Sequence, residues 1–363
     1  MTASRLIAGC MSGTSLDGLD AAVCRVRLGD SSQAVEVLAT HSVELGPVGR
    51  VLRDLASGVA VGAGEIAEAA LGLGRLHLTC LEPLLPAADG PLDLIVAHGQ
   101  TVFHDPPCSW QLLNPAPIAA ALGVPVLSDL RQGDLALGGQ GAPITPRADA
   151  VLYRGLGPDL AVVNLGGFCN VTLPGDHLRG FDVCACNQVL DGAARRWLRA
   201  PCDVDGKAAL VGTADEALVA ELDGLLEGQR LAGRSLGSGD ELEAWIAGCA
   251  GSDAATVCAS ACAAVARCIA RAVGAVPEVI LAGGGVRNPA LRGALERACA
   301  GRVRVSDEVG VPAAYREAAA MAVLGAMALA GENTTDAGVT GRRPGPVISG
   351  SWTGPGVGVA RAR

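Results

Sequence analysis

The chain has 363 residues, half of them hydrophobic, which is too long for one ordinary core and predicts two domains of similar size. A formal charge of -9 and a pI near 5.1, with no run of Lys or Arg, exclude a nucleic-acid surface and favour an enzyme for a small soluble substrate. Aromatic residues make up only 2%, so the core must be built from Ala, Val and Leu.

Thirteen cysteines, an odd count in a long chain, read as reduced buried thiols and predict a cytoplasmic protein. Arg5 is followed by too few apolar residues before Ser12 for a signal-peptide core.

In chain order, Leu6 to Ala8 and Ala21 to Val26 predict short strands flanking a turn, Gly9 to Asp20, dense in glycines, hydroxyls and carboxylates. Backbone N–H groups of such a turn, with Ser12, Thr14 and Ser15, suit phosphate oxygens, and Asp17 and Asp20 suit Mg2+ held through water. It is no Walker A loop, because no Lys follows the glycines. An ordinary surface hairpin is the competing reading of the turn taken alone.

Further strands are predicted at Leu92 to Ala97, Val124 to Leu127, Leu160 to Leu165, Glu278 to Ala282 and Val303 to Val305, alternating with Ala-rich helical stretches. This alternation predicts an α/β architecture with largely parallel strands buried on both faces. Val257 to Val276 and Ala313 to Ala330 are apolar but broken by Arg267, Arg271, Arg316 and Glu317, which makes them buried helices and not membrane spans. The stretch Arg131 to Pro146 is polar, rich in Gly and without periodicity, and is expected to mark the crossing between domains.

Two more glycine clusters sit at strand ends. Gly166-Gly167 joins Leu160–Leu165 to Phe168–Leu173 and echoes the opening hairpin, and Gly283-Gly284-Gly285 follows a strand and precedes Pro289. A lone cluster is usually plain turn chemistry, but three at strand ends fit a two-lobed sugar kinase or ATPase, with backbone donors facing a nucleotide.

The ordered motifs Met11-Ser12-Gly13-Thr14-Ser15 with Asp17-Gly18 and Asp20, His98-Gly99-Gln100-Thr101 with His104, Gly138 to Pro143, Asn164 to Gly167 with Asn170, Gly283 to Gly285 with Asn288, Glu317-Ala318 and Thr340-Gly341 run nearly end to end. Through them the chain resembles the anhydro-N-acetylmuramic acid kinase family of the actin-like, ribonuclease H-like ATPase superfamily. The resemblance implies two α/β lobes with the nucleotide in the cleft between them: an N-terminal lobe of residues 1–128 plus 340–363 and a C-terminal lobe of 129–339. It implies ATP-dependent hydrolytic opening and phosphorylation of 1,6-anhydro-N-acetylmuramic acid to N-acetylmuramic acid 6-phosphate, with Mg2+ bound through the nucleotide and homodimerisation expected. A kinase for another anhydro sugar such as levoglucosan, and a catalytically silent nucleotide-binding regulator, are the rival readings.

Carried over by motif, the nucleotide set is Gly13, Thr14, Ser15, Leu16, Asp17, Gly18, Asp20, Gly166, Gly167, Asn170, Gly283, Gly284, Gly285 and Asn288. Asp182, in Gly180-Phe181-Asp182, matches the family's catalytic base for the attacking water. His98, Gln100, Thr101, Arg131 and Glu317 are the sugar candidates. A satisfied loop histidine, a structural Arg131–Asp134 ion pair and a charge at a helix N-terminus remain open for His98, Arg131 and Glu317. After Asp182 the family's glycines are replaced by Cys184 and Cys186, so this loop is expected to take another path and narrow the space around the substrate.

Gly13→Val is expected to weaken ATP binding by obstructing backbone approach. Unchanged nucleotide affinity by calorimetry would remove the turn from the nucleotide site.

Overall fold

The computed structural model describes residues 4–13, 16, 18–29, 35–232, 241–346 and 349–354; Thr14, Ser15 and Asp17 of the opening turn lie outside them. The chain divides into unit 1, Met1–Gly157 with Gly310–Arg363, and unit 2, Pro158–Val309.

Unit 1 runs β1 (Arg5–Ser12), β2 (Gly18–Val26), β3 (Val35–Glu44), α1 (Gly46–Ala56), α2 (Ala63–Leu81), β4 (Leu94–Ala97), the ribbon β5 (Gln100–Asp105) and β6 (Cys108–Leu112), α3 (Ala116–Leu122), β7 (Val126–Ser128), α4 (Gln132–Ala136) and α5 (Pro146–Leu152). Unit 2 follows with β8 (Leu160–Leu165), β9 (Phe168–Leu173), β10 (Arg179–Ala185), α6 (Asn187–Ala193), α7 (Lys207–Val211), α8 (Glu216–Ala232), α9 (Glu241–Gly248), α10 (Ala254–Val273), β11 (Glu278–Ala282), α11 (Pro289–Ala298) and β12 (Arg302–Val305). The chain then returns to unit 1 as α12 (Arg316–Leu329), α13 (Ala337–Thr340) and β13 (Ser351–Thr353).

The two main sheets share one strand order. In unit 1 it is β3-β2-β1-β4-β7, extended by β13, and in unit 2 it is β10-β9-β8-β11-β12. In each, the first three strands form an antiparallel meander and the last two run parallel to the first. This duplicated order is the actin-like arrangement implied by the sequence motifs.

The central strands are buried on both faces, which explains their unbroken apolar runs. In β1, Ile7 packs with α12, whereas Ala8 and Cys10 join a second core with Leu73, Leu81 and Ile118 from α2 and α3. The period of two in the strand thus feeds two different layers. α12 lies so close to β1 that a Cβ on Gly9 would meet the Ala318 carbonyl oxygen at 2.0 Å and the Ala322 nitrogen at 2.5 Å. Only glycine opposite an alanine-lined helix permits this approach, and α12 supplies buried Ala318, Ala319, Ala320, Ala322 and Ala326.

α10 is long and apolar enough to cross a membrane by composition, yet 67% of that stretch is buried inside unit 2. Its Arg267 and Arg271 pair with Glu216 and Asp223 of α8, so it is a core helix with a solvated edge.

The domain boundaries differ from the expectation. Residues 129–157 and 310–339 belong to unit 1, because α5 and α12 share its core with β1 and β4. The stretch Arg131 to Pro146 is therefore no crossing. It is tied within unit 1 by buried Asp134, which accepts from Gly141 N at 2.8 Å and Thr340 Oγ1 at 2.6 Å.

Gly9→Ala is expected to cost about 3 kcal/mol, since the obstruction is backbone on both sides. Gly64→Ala, in α2 with nothing within 4 Å of the added carbon, is the matched control and should be neutral or stabilising. Urea unfolding reads both; equal midpoints for Gly9→Ala and the native chain would refute the close approach.

Candidate active site

Ligands of open α/β sheets bind outside the carboxyl ends of parallel strands. In unit 1 those ends are Ser12 of β1, His98 directly after β4, and Asp129 directly after β7. Seven of the fourteen buried side-chain atoms without a hydrogen-bond partner among the described residues lie on these ends and the adjoining ribbon: Ser12 Oγ, both ring nitrogens of His98, Gln100 Oε1, His104 Nε2, Gln111 Oε1 and Asp129 Oδ1. An unpaired buried polar group costs about 1–3 kcal/mol, so such a concentration is unusual in a structure shaped for stability alone.

The ribbon sets the geometry. Pairing of Gln100 with Leu112 and of Thr101 with Gln111 brings residues ten or more apart to one place. His104 Nδ1 lies 2.9 Å from Ser109 Oγ, and Gln111 Nε2 donates to Ser109 Oγ at 2.8 Å and Thr101 Oγ1 at 3.3 Å. Gln100 Nε2 donates one bond to the Thr101 carbonyl, so the amide nitrogen of each glutamine is engaged locally while its Oε1 is kept as an acceptor in reserve.

Burial and the neighbouring Arg131 charge push the His98 imidazole well below the usual histidine range, and the same two causes lower His104. Each ring is neutral at physiological pH and offers one donor and one acceptor. Arg131 is held by donation from Nη1 to the Gly141 carbonyl at 2.7 Å, and its partner in the sequence expectation, Asp134, is used by Gly141 and Thr340 instead. Asp129 adopts a positive φ of 54°, a conformation that non-glycine residues hold at a cost and that recurs at functional sites.

At the other edge of the β1 end, Glu317 occupies the first turn of α12. Burial raises its carboxyl above the usual range, with Asp20 and Asp149 adding to the rise and Arg316 and Arg131 opposing it. Asp20 accepts from Ser42 Oγ at 2.5 Å, and Ser42 also bonds the Tyr315 hydroxyl at 3.0 Å. In the opening turn, Leu16 has a φ of 56° and donates to the Gly13 carbonyl, while its side chain is core and its carbonyl accepts from Arg53.

Unit 2 carries its own polar row. Register pairs Asp182 with Asn170 and Asn170 with Asn164, so a carboxylate and two amides lie side by side across β10, β9 and β8. A register shift just past Asp182 bulges the strand there, a device that re-aims side chains near active sites.

Gly283 has a φ of 85°, and a Cβ on it would meet Asn164 Oδ1 at 2.7 Å; one on Gly285 would meet Leu165 Cβ at 2.7 Å. These glycines are required for the turn to tuck beneath the end of β8, and Gly284 is the member left exposed. The Gly166 and Gly167 carbonyls accept from the backbone at the start of α6. Asn288 caps α11, accepting from Ala290 and Leu291 nitrogens and donating to Cys262 Sγ, so its side chain serves the helix rather than a nucleotide.

Two further expectations are corrected. The segment expected to form a loop after Asp182 is strand, since β10 continues through Val183, Cys184 and Ala185. Cys184 and Cys186 are 0% exposed within the unit 2 core and have no positive φ. Their side chains fill that core and do not narrow space for a substrate. A cavity of about 590 Å3 in unit 2, bordered by Arg267, Arg271 and Arg297, lies at the amino ends of β11 and β12 and includes none of the site residues.

Residue selection from sequence missed His104, Gln111, Asp129 and Asn164, and read Ser12 only as a hydroxyl of the phosphate turn. His104 and Asn164 sat inside quoted motifs, but Gln111 is joined to the site only by ribbon pairing and Asp129 by a backbone angle, neither of which the residue string displays.

A family model described as anhydro-N-acetylmuramic acid kinase matches residues 5–352. The chain belongs to the anhydro-N-acetylmuramic acid kinase family. Relatives of that name include those of Bordetella parapertussis, 37% identical over 342 residues and 88% of each chain, and Salinibacter ruber, 35% identical over 379 residues and 93% of each. The Streptomyces avermitilis member is 35% identical, with 96% of this chain and 94% of that one covered. Among solved structures, component A of the Acidaminococcus fermentans (R)-2-hydroxyglutaryl-CoA dehydratase is similar with a TM-score of 0.49 at 17% identity, covering 88% of this chain and 97% of that one.

His98→Leu is expected to raise the stability of the ligand-free protein by about 1–2 kcal/mol, by removing two unpaired buried nitrogens, while weakening sugar binding. Thermal unfolding and calorimetry read the two effects; a variant less stable than the native chain, with unaltered sugar affinity, would make His98 a structural residue.

Proposed function

We propose that the protein phosphorylates 1,6-anhydro-N-acetylmuramic acid with hydrolytic opening of its anhydro bridge, using ATP as the donor and releasing ADP. The observation that carries this reading is the set of buried, unpartnered acceptors and neutral imidazoles on the carboxyl ends of β1, β4 and β7. Sugar hydroxyls both donate and accept, as do neutral imidazoles, and the glutamine Oε1 atoms call for donors that hydroxyls provide. Arg131 adds one fixed cation, which suits an acid-substituted sugar better than a neutral one.

In this reading His98, Gln100, Thr101, Arg131 and Glu317, joined by His104 and Gln111, hold the acceptor. Gly13 to Asp20, Gly166, Gly167 and exposed Gly284 offer backbone to the nucleotide, whereas Gly283, Gly285 and Asn288 shape the turn around it. Asn170 and Asn164 orient the Asp182 carboxylate by lying beside it in register. Asp182 takes the proton of a water that adds to the anomeric carbon. The bond from that carbon to the bridging oxygen breaks, the freed oxygen attacks the γ-phosphorus, and ADP leaves.

Mg2+ would arrive on the nucleotide phosphates and neutralise their charge.

Asp182→Asn is expected to keep nucleotide affinity and lose turnover by about a thousandfold, as loss of a general base does. ADP release with the product identified by mass spectrometry measures it. Turnover within about tenfold of the native rate would reject Asp182 as the base.

A further inference from the structure

Arg316 and Glu317 are the charged residues of a helix otherwise made of Ala, Met, Val, Leu and one Gly, and the Arg316 side chain is 1% exposed. Its Nε donates to Asp149 Oδ1 at 2.8 Å, and its Nη2 donates to Asp149 Oδ2 and to Thr145 Oγ1. Asp149, on α5, is 0% exposed. A buried pair of this kind gains little stability over apolar residues of similar volume, because both ions must leave water. Its position is informative: Arg316 immediately precedes Glu317, and the pair anchors the turn of α12 that carries Glu317 to the end of β1.

We propose that the Arg316–Asp149 pair is a positioning device for Glu317, fixing its place beside the sugar and holding the charge around it in balance. The inference rests on the reading of Glu317 as a sugar-site residue. The charged groups facing Glu317 are Arg316, Asp149, Asp20 and Arg131. Burial is the largest influence on the Glu317 carboxyl and raises it above the usual range; the Arg316 charge opposes that rise, and the Asp149 charge offsets part of the effect of Arg316. Deleting one member of the pair unbalances the other. Without the Asp149 charge, Glu317 faces an uncompensated cation and gives up its proton more easily. Without Arg316, it faces an additional anion and holds its proton more tightly.

The test is the pH dependence of sugar affinity, measured by calorimetry without ATP. Glu317→Gln is expected to abolish the part of that dependence due to Glu317. Asp149→Asn should move its midpoint to lower pH and Arg316→Met to higher pH, each by about one pH unit. The double variant Asp149→Leu, Arg316→Met should fold and return the midpoint to the native position. A purely structural pair would not move the midpoint in opposite directions.

Native midpoints in both single variants would overturn the proposal. If Asp149→Asn does not fold, Arg316→Met and the double variant decide alone: a native midpoint in Arg316→Met overturns it, and an upward move reversed in the double variant supports it. A pH dependence that survives intact in Glu317→Gln would instead refute the placement of Glu317 in the sugar site.

Discussion

The contact between Gly9 of β1 and the alanine face of α12 is the constraint on which unit 1 is built. With backbone atoms of the helix only 2.0 and 2.5 Å from where a Cβ would stand, strand and helix meet without side chains between them. Three consequences follow. The chain must return to its first unit after completing the second, α12 must be made of small residues, and its first turn must sit level with the carboxyl end of β1. Glu317 and the buried Arg316–Asp149 pair owe their location to this packing. The scarcity of aromatics and the wealth of alanine belong to the same economy of volume.

Much of the architecture was readable in the residue string because its physics is local. Strands buried on both faces give unbroken apolar runs, and Leu160–Leu165 and Glu278–Ala282 coincide with β8 and β11. The hairpins at Gly13 and Gly166 were marked by glycines between two such runs. The boundaries were misplaced for a non-local reason: α5 and α12 join the core of unit 1 through contacts between residues more than 160 positions apart, such as Asp149 with Arg316. The stretch after Arg131 showed no periodicity because its helix α4 is only five residues long, and beyond it Gly141 N donates to the Asp134 carboxylate and Gln140 N to the Thr340 carbonyl.

The site was legible in its residue types and less so in its division of labour. His98 and Gln100 follow the end of β4, and Arg131, just past the end of β7, lies close enough to act on the His98 ring. Glycine clusters gave a mixed signal, since Gly283 and Gly285 are dictated by close approach to β8 while Gly284 alone stays open. The cysteines after Asp182 looked like a change at the substrate and prove to be a change in the core, because continuation of β10 past a bulge turns them inward. A strand bulge is set by pairing with β9, which no local pattern reveals.

The central claim is that a neutral histidine cluster at the carboxyl ends of the unit 1 strands receives the sugar. The chain has only 5 histidines, so their ring resonances can be followed one by one by NMR. Addition of 1,6-anhydro-N-acetylmuramic acid without nucleotide should shift the signals of His98 and His104, both of neutral rings, and leave His41, His77 and His177 in place. If His98 and His104 stay unshifted at a sugar concentration that supports full turnover once ATP is added, the sugar binds elsewhere and the account is wrong.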